Sequence, residues 1–387
     1  MPNPIYLDYN ATTPLDQAVI DEVMPFMTHN FGNAASKTHL FGDLAGKAVS
    51  KARTQVAQLI NAQPYEIILT SGATEAINLA LKGVFESAPS GKDHIITVKT
   101  EHKAVLDTCE YLEKKGARVT YLDVDQQGLI NLEQLSEAIT NKTLLIALMY
   151  GNNETGVIQP INDAAEIAEK NNVLFLTDAT QAVGKIPVDV RKDRISMMMF
   201  SGHKLYAPKG VGALYVRKEY QGKVQPLIHG GGHEQGLRSG TLNVAGIVGF
   251  GKACELCIKE DFSKSTRITQ LRDLLEKELL NVEDTSLNGS TINRLPNTTN
   301  ICFKGVEADE LIMRTRTKLA VATGSACTSS AIAPSHVLQA MGLTDELAYS
   351  SIRFSLGRYT SRDEIEQVTN LVEKEIIAIR KLHRLSA

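Results

Sequence analysis

Val173-Leu174-Phe175-Leu176-Thr177-Asp178-Ala179-Thr180-Gln181 and, further along, Ile195-Ser196-Met197-Met198-Met199-Phe200-Ser201-Gly202-His203-Lys204 follow one plan. Each is a short apolar run that ends abruptly in polar residues. Such runs, bounded by turn residues, mark strands buried on both faces, the strands of mostly parallel sheets covered by helices. Similar runs stand at 66–70, 94–98 and 144–149, and the segments 134–139 and 162–171 between them have the spacing of amphipathic crossover helices. The alternation predicts a doubly wound α/β unit, with a mostly parallel sheet flanked by helices.

Past about residue 260 the texture changes to a charged helical run (266–280), a strand (299–303), a helix (308–315), another strand and a last long helix. This reads as a smaller α/β unit. Ser361-Arg362-Asp363-Glu364 has the pattern of a capping box, and Ile365, Val368, Val372, Ile376, Ile379 and Leu382 fall on one helical face. The expected division is 15–260 for the large unit, and 1–14 with 261–387 for the small one.

With 387 residues, 43% of them hydrophobic and 22% charged, the chain can bury a large core and is neither disordered nor fibrous. A net charge of -3 gives no polybasic footprint, so neither direct nucleic-acid binding nor a membrane surface is expected. No stretch approaches the roughly 18 apolar residues of a membrane span, and Met1-Pro2-Asn3-Pro4 lacks a signal-peptide start, so a cytoplasmic protein is expected. Cys109, Cys254, Cys257, Cys302 and Cys327 are an odd number, which favours free thiols over a disulfide framework.

In an open α/β sheet, ligands bind beyond the carboxyl ends of the strands, so the polar residues after each run matter most. Ser71-Gly72-Ala73-Thr74-Glu75 is a glycine turn at a helix start, either a phosphate seat or an ordinary Thr cap. Thr100-Glu101-His102 places a histidine at a second end. Asn152-Asn153-Glu154-Thr155-Gly156 is a tight turn whose amides could reach a ring hydroxyl. Asp178 is a carboxylate at a strand end, where it either caps the next turn or meets a cation such as a protonated ring nitrogen. Lys204, crowded by Ser201 and His203, suits a desolvated amine able to form a Schiff base. An Asp and a Lys on successive strands match the pyridinium and aldehyde partners of pyridoxal 5'-phosphate.

In the smaller unit, Gly324-Ser325-Ala326-Cys327-Thr328-Ser329-Ser330 surrounds one thiol with small polar residues, either an exposed loop presenting a nucleophile or a linker with a chance Cys. In Ser351-Ile352-Arg353-Phe354-Ser355-Leu356 the alternation turns Arg353 away from the core, to clamp a carboxylate or to meet solvent. Other motifs fail on inspection. His229-Gly230-Gly231-Gly232-His233-Glu234 has the wrong order and too much glycine for a helical metal site; Gly42 to Ala48 is one residue short of a phosphate loop; Gly210-Val211-Gly212 lacks a third glycine. Cys254-Glu255-Leu256-Cys257 lacks a second pair for zinc and reads as packing.

Taken together, residues 6–14 (Tyr6-Leu7-Asp8-Tyr9-Asn10-Ala11-Thr12-Thr13-Pro14), Ser71 to Glu75, Thr100-Glu101-His102-Lys103, Asp178-Ala179-Thr180-Gln181, Ser201-Gly202-His203-Lys204, His229 to Glu234 with Arg238-Ser239-Gly240-Thr241, and Gly324 to Thr328 resemble the group I cysteine desulfurases (NifS/IscS type). These are fold-type I pyridoxal phosphate enzymes of the class V aminotransferase superfamily, and the resemblance spans nearly the whole chain. It implies an aspartate aminotransferase-like fold. Lys204 would hold the cofactor aldehyde, Asp178 its ring nitrogen, and His102 would stack on the ring and move protons. Asn153 and Gln181 would lie near the phenolic oxygen. The phosphate would sit on Ala73, Thr74, Ser201 and His203, with Thr241 entering from the other subunit of a homodimer. Asn33 and Arg353 would grip the carboxylate of L-cysteine, and Cys327 would take its sulfur as a persulfide.

The resemblance further implies that sulfur passes to acceptor proteins for iron-sulfur cluster assembly or for tRNA and cofactor thiolation. No resident metal is expected, although Cys327 could transiently ligate iron in a nascent cluster. Two stretches depart from the family's pattern: Ala34 stands where many members have Pro, and Tyr150-Gly151 precede the Asn pair where an apolar residue is usual. The sequence ends at Ala387, short of the extension by which some housekeeping members contact their scaffold, so a scaffold partner is less firmly expected than the chemistry. A selenocysteine lyase or an aminotransferase would use the same Lys204 and Asp178, and an aminotransferase would not need Cys327. A non-catalytic sulfur carrier would not need Lys204, Asp178 and His102 together.

Overall fold

The computed structural model describes residues 4–260, 263–324 and 333–386. After a two-residue strand, β1 (Ile5–Tyr6), come helices α1 (Gln17–Thr28) and α2 (Leu40–Leu59) and then a seven-stranded sheet. Its strands are β2 (Ile67–Thr70), β3 (His94–Val98), β4 (Arg118–Leu122), β5 (Thr143–Ala147), β6 (Leu174–Asp178), β7 (Met197–Ser201) and β8 (Gly212–Val216), in the order β2-β8-β7-β6-β5-β3-β4. Neighbours from β7 across to β4 are parallel, as the apolar runs predict, whereas β8 runs antiparallel to both β2 and β7. The intervening helices are α3 (Ala73–Glu86), α4 (Lys103–Glu113), α5 (Leu132–Ala138) and α6 (Ile161–Lys170), and α7 (Val244–Glu260) follows the sheet.

Every residue of β2, β3, β5, β6, β7 and β8 is buried because helices cover both faces. Met197 and Met199 pack with α3 and α4 on one face, and Met198 and Phe200 pack with α2, α6 and α7 on the other, the period of two expected of a strand. Cys254 and Cys257 lie in the second of these cores and Cys109 in the first, so the CxxC spacing serves packing.

A separate core gathers Leu7 with helix α8 (Ser263–Leu280), strand β10 (Thr298–Phe303) and helix α9 (Ala308–Thr315), and strand β9 (Thr285–Asn288) pairs antiparallel with β10. Strand β11 (Leu319–Ala320) pairs with β1; short helices α10 (His336–Ala340) and α11 (Asp345–Tyr349), strand β12 (Ser351–Ser355) and helix α12 (Arg362–Ser386) complete this part. The capping box is formed: Ser361 N–H donates to Glu364 Oε2 at 2.8 Å and Glu364 N–H to Ser361 Oγ at 3.2 Å. Ile365, Val368, Val372, Ile376 and Ile379 are fully buried. Leu382, expected on the same face, is 46% exposed, because α12 runs past the core it covers.

Among the described residues no group of three or more His, Cys, Asp and Glu could hold a metal, and no helix is long and apolar enough to cross a membrane. Glu234 instead forms a structural bridge. Its carboxylate takes both Arg53 amines, at 2.5 and 2.7 Å, and the Leu69 N–H at 2.7 Å, fastening the glycine-rich stretch to β2. Glu234→Ala removes the acceptor from a half-buried guanidinium and a buried amide, so a loss of about 3 kcal/mol and a lower Tm are expected in thermal melts.

Candidate active site

The carboxyl ends of β2, β3, β5, β6 and β7 open into one pocket, lined by residues from each strand end. Helix α3 begins there, and Ala73 and Thr74 present its N-terminal amides, while the Gly72 N–H donates to Thr70 Oγ1 at 3.4 Å. This turn fits because residue 212 of β8 is glycine: a Cβ at Gly212 would come within 2.7 Å of the Gly72 Cα. Glu75, which also lines the pocket, accepts the Ser71 N–H at 2.8 Å and pairs with Arg238 at 2.8 Å, which stiffens the turn.

Lys204, in a short turn after β7, donates from Nζ to the carbonyls of Asn10 and Ala11, both at 2.6 Å. Asp178 closes β6 at 8% exposure, with Oδ1 accepting the Thr180 N–H at 2.9 Å. It therefore caps its turn and also faces the pocket. His102 is the N-cap of α4: its Nδ1 accepts the Ala104 N–H at 3.1 Å, which leaves Nε2 as the nitrogen free to exchange a proton. Gln181 donates from Nε2 to the Asn10 carbonyl at 3.0 Å, and its Oε1 accepts from Lys185.

Ser201 and His203 line the same wall. His203 Nδ1 lies 3.1 Å from Thr12 Oγ1, and burial, followed by the Lys204 and Lys209 charges, presses its pKa down to about 4. The folded protein thus holds His203 neutral where the unfolded chain, with a value near 6.5, begins to take up a proton. Stability from this group is complete above pH 6.5 and is lost as pH falls toward 4. His203→Gln should flatten the Tm profile across that window.

Arg353 lines the pocket but is not solvated: it is 4% exposed, pairs with Asp8 at 2.6 Å and donates to the Asn153 carbonyl at 3.1 Å. Asn153 also lines the pocket, and its carbonyl takes a second bond from Asn10 Nδ2 at 3.1 Å. Two expected residues stand elsewhere. Asn33 is exposed and outside the pocket, because its Oδ1 is used locally to cap the Ala35 N–H at 2.9 Å, so the chain does not join it to Arg353. Thr241 is likewise exposed and outside the pocket of its own chain. Cys327 lies outside the described residues.

Asn10 and Lys185 carry more of the site than the sequence suggests. Asn10 binds Lys204 and Gln181 through its carbonyl, Asn153 and Thr298 through its Nδ2, and Lys185 and Asn297 through its Oδ1. Lys185 is half-buried among these amides, and desolvation of its amine together with the Lys204 and Arg353 charges pushes it well below the usual lysine range. Local pattern signals neither residue, since their partners come from distant parts of the chain.

The donor set fits pyridoxal 5'-phosphate: an amine for the aldehyde, a carboxylate for the ring nitrogen, and a helix N-terminus with hydroxyls for the phosphate. The pocket also keeps hydrogen-bonding capacity that its own side chains leave unused. The buried Thr180 Oγ1 and Arg353 Nε have no partner among the described residues, and both residues line it. Unpaired buried polar atoms are costly unless a ligand satisfies them.

The model of the aminotransferase class-V family matches residues 5–368. The chain belongs to that family. Within the family it stands among the group I cysteine desulfurases. It is 49% identical over 384 residues to "Cysteine desulfurase IscS" of Serratia proteamaculans (strain 568), covering 99% of this chain and 95% of that protein. A solved "NIFS-LIKE PROTEIN" superposes with a TM-score of 0.90 at 38% identity, over 96% of this chain and 99% of the other. "SspA in complex with cysteine" gives 0.81 at 39% identity, over 92% and 99%. The family's sheet with helices on both faces is the fold found here.

Proposed function

We infer that the protein is a pyridoxal phosphate-dependent cysteine desulfurase: L-cysteine and an acceptor thiol are converted to L-alanine and a persulfide. The observation that carries this reading is the single pocket that gathers Lys204, Asp178, His102 and the start of α3. When bound, the cofactor supplies an electron-accepting ring.

The chain's own residues take the remaining roles. Lys204 holds the aldehyde end, directed by the Asn10 and Ala11 carbonyls. Asp178 keeps the ring nitrogen protonated. The α3 amides at Ala73 and Thr74, with Ser201 and His203, bind phosphate; the neutral His203 serves as a hydrogen-bonding group rather than as a counter-charge. Gln181, whose Oε1 accepts from Lys185 and whose Nε2 already donates once to the Asn10 carbonyl, would offer its second N–H to the phenolic oxygen, with Asn153 of the same pocket as a further partner. His102, whose Nδ1 is held by the Ala104 N–H, would use Nε2 to give and take a proton. Arg353, held flat by Asp8 and the Asn153 carbonyl, receives the substrate carboxylate through its unpaired Nε. Cys327 is the nucleophile that takes the sulfur and passes it on.

On this reading residues 15–260 form the cofactor-binding unit, and 1–14 with 261–387 form the unit that carries Cys327. The enzyme is a homodimer in which Thr241, and Asn33 with it, serve the neighbouring subunit's pocket; both are exposed and off their own. The acceptors are an iron-sulfur scaffold or tRNA-thiolation proteins, and the compartment is the cytoplasm, where acceptor thiols stay reduced. Adding pyridoxal phosphate to the apoprotein should give one visibly absorbing cofactor per chain, and L-cysteine should then perturb that band; a chain that takes up none is not this enzyme.

A further inference from the structure

Residues 325–332, which include Cys327, lie outside the described residues, but the residues on either side of them are described and meet at one side chain. From one side, Ser335 Oγ donates to Glu154 Oε2 at 2.5 Å. From the other, Gly324 lies against the same oxygen: a Cβ there would sit 1.9 Å from Glu154 Oε2 and 3.0 Å from Ser335 Cβ. Residue 324 has to be glycine for this contact, and Glu154 is 3% exposed beneath it.

Glu154 is itself rigidly held. Asn152 Oδ1 accepts the N–H of Glu154 at 2.8 Å and that of Thr155 at 3.0 Å, and Asn300 Nδ2 donates to the Glu154 carbonyl at 3.3 Å. The preceding residue, Asn153, lines the pocket and is bonded to Arg353. One turn therefore touches the expected seat of the substrate carboxylate with one residue, and both flanks of the Cys327 stretch with the next. Burial raises the Glu154 carboxyl to about 7, against the Ser335 bond and the Arg353 charge, and an acceptor oxygen is present in either protonation state. No step assigned above uses this carboxyl.

We propose that Glu154 is a positioning residue: by bonding Ser335 and packing against Gly324, it ties the described flanks of the stretch carrying Cys327 to the turn that lines the pocket. The proposal rests on the reading of Cys327 as the nucleophile. Physically, misplacing a reacting group by about 1 Å can cost up to roughly 100-fold, so an anchor that ties the described flanks to the pocket-lining turn bears on the rate.

The test uses the holoenzyme and Glu154→Ala, Glu154→Gln and Gly324→Ala. Steady-state alanine formation, the rate at which iodoacetamide alkylates Cys327, cofactor absorbance and Tm are followed together. Glu154→Ala should lower kcat about 10- to 100-fold with KM and the cofactor band unchanged, and should raise the Cys327 alkylation rate. Glu154→Gln, which keeps an oxygen for Ser335, should restore kcat to within about threefold of wild type, and Gly324→Ala should reproduce the alanine phenotype. Wild-type kcat and alkylation in Glu154→Ala, a Gln variant as impaired as Ala, or a kcat loss matched by lost cofactor would each overturn the proposal. Should Cys327→Ala itself turn over normally, the nucleophile reading fails, and the alkylation rate in Glu154→Ala alone decides the positioning claim: a rise supports it and no change sinks it.

Discussion

Lys204→Ala is expected to bind pyridoxal phosphate without attaching it and to lose alanine formation by roughly 10³-fold or more. The wild-type amine is directed by two carbonyls at 2.6 Å, those of Asn10 and Ala11, in a pocket that also holds Asp178 and the α3 N-terminus. Removing it leaves the phosphate seat and the ring-nitrogen partner in place, so affinity for the cofactor should fall far less than turnover. The check is borohydride reduction followed by denaturation. Wild type should retain the cofactor on the chain and the variant should release it; a variant that still forms alanine at the wild-type rate would remove Lys204 from its assigned role.

Cys327→Ala should separate cofactor chemistry from sulfur removal. Its visible band should match wild type, because Lys204, Asp178, His102 and the start of α3 are unchanged. Alanine and sulfide should both fall by roughly 10³-fold, the scale on which loss of a catalytic nucleophile is felt. If alanine falls and sulfide does not, or if both persist, a different thiol or none is the acceptor. The four described cysteines, Cys109, Cys254, Cys257 and Cys302, are all buried, and burial pushes each thiol's pKa up, which makes them poor substitutes.

The sheet was legible because β3, β5, β6 and β7 are buried on both faces and are therefore mostly apolar, and their ends were legible because polarity resumes at Thr100, Asp178 and Ser201. Strand β8 escaped attention because its glycines read as a failed nucleotide motif; Gly212 is there to let β8 lie against the Gly72 turn. The alternation in β12 correctly turned Arg353 from the core, yet the opposite face is covered as well, by Asp8 and the Asn153 carbonyl, so the guanidinium is buried and not solvated. Asn10 illustrates the limit of local reading. Its bonds run to Asn153, Gln181, Lys185, Lys204, Asn297 and Thr298, and nothing in the residues around it encodes partners so far away in the chain. Asn33 shows the converse: its Oδ1 accepts the Ala35 amide at 2.9 Å and it stands outside the pocket of its own chain, a placement that the residues around it do not reveal.

The central claim is that this pocket takes sulfur from cysteine, and the most direct test is turnover by the purified holoenzyme with L-cysteine and a thiol reductant, with alanine and sulfide quantified in the same samples. Equal molar amounts of the two, rising together over many turnovers per chain, are predicted. A protein that keeps its cofactor band yet forms neither product, or forms pyruvate in place of alanine, would contradict the account.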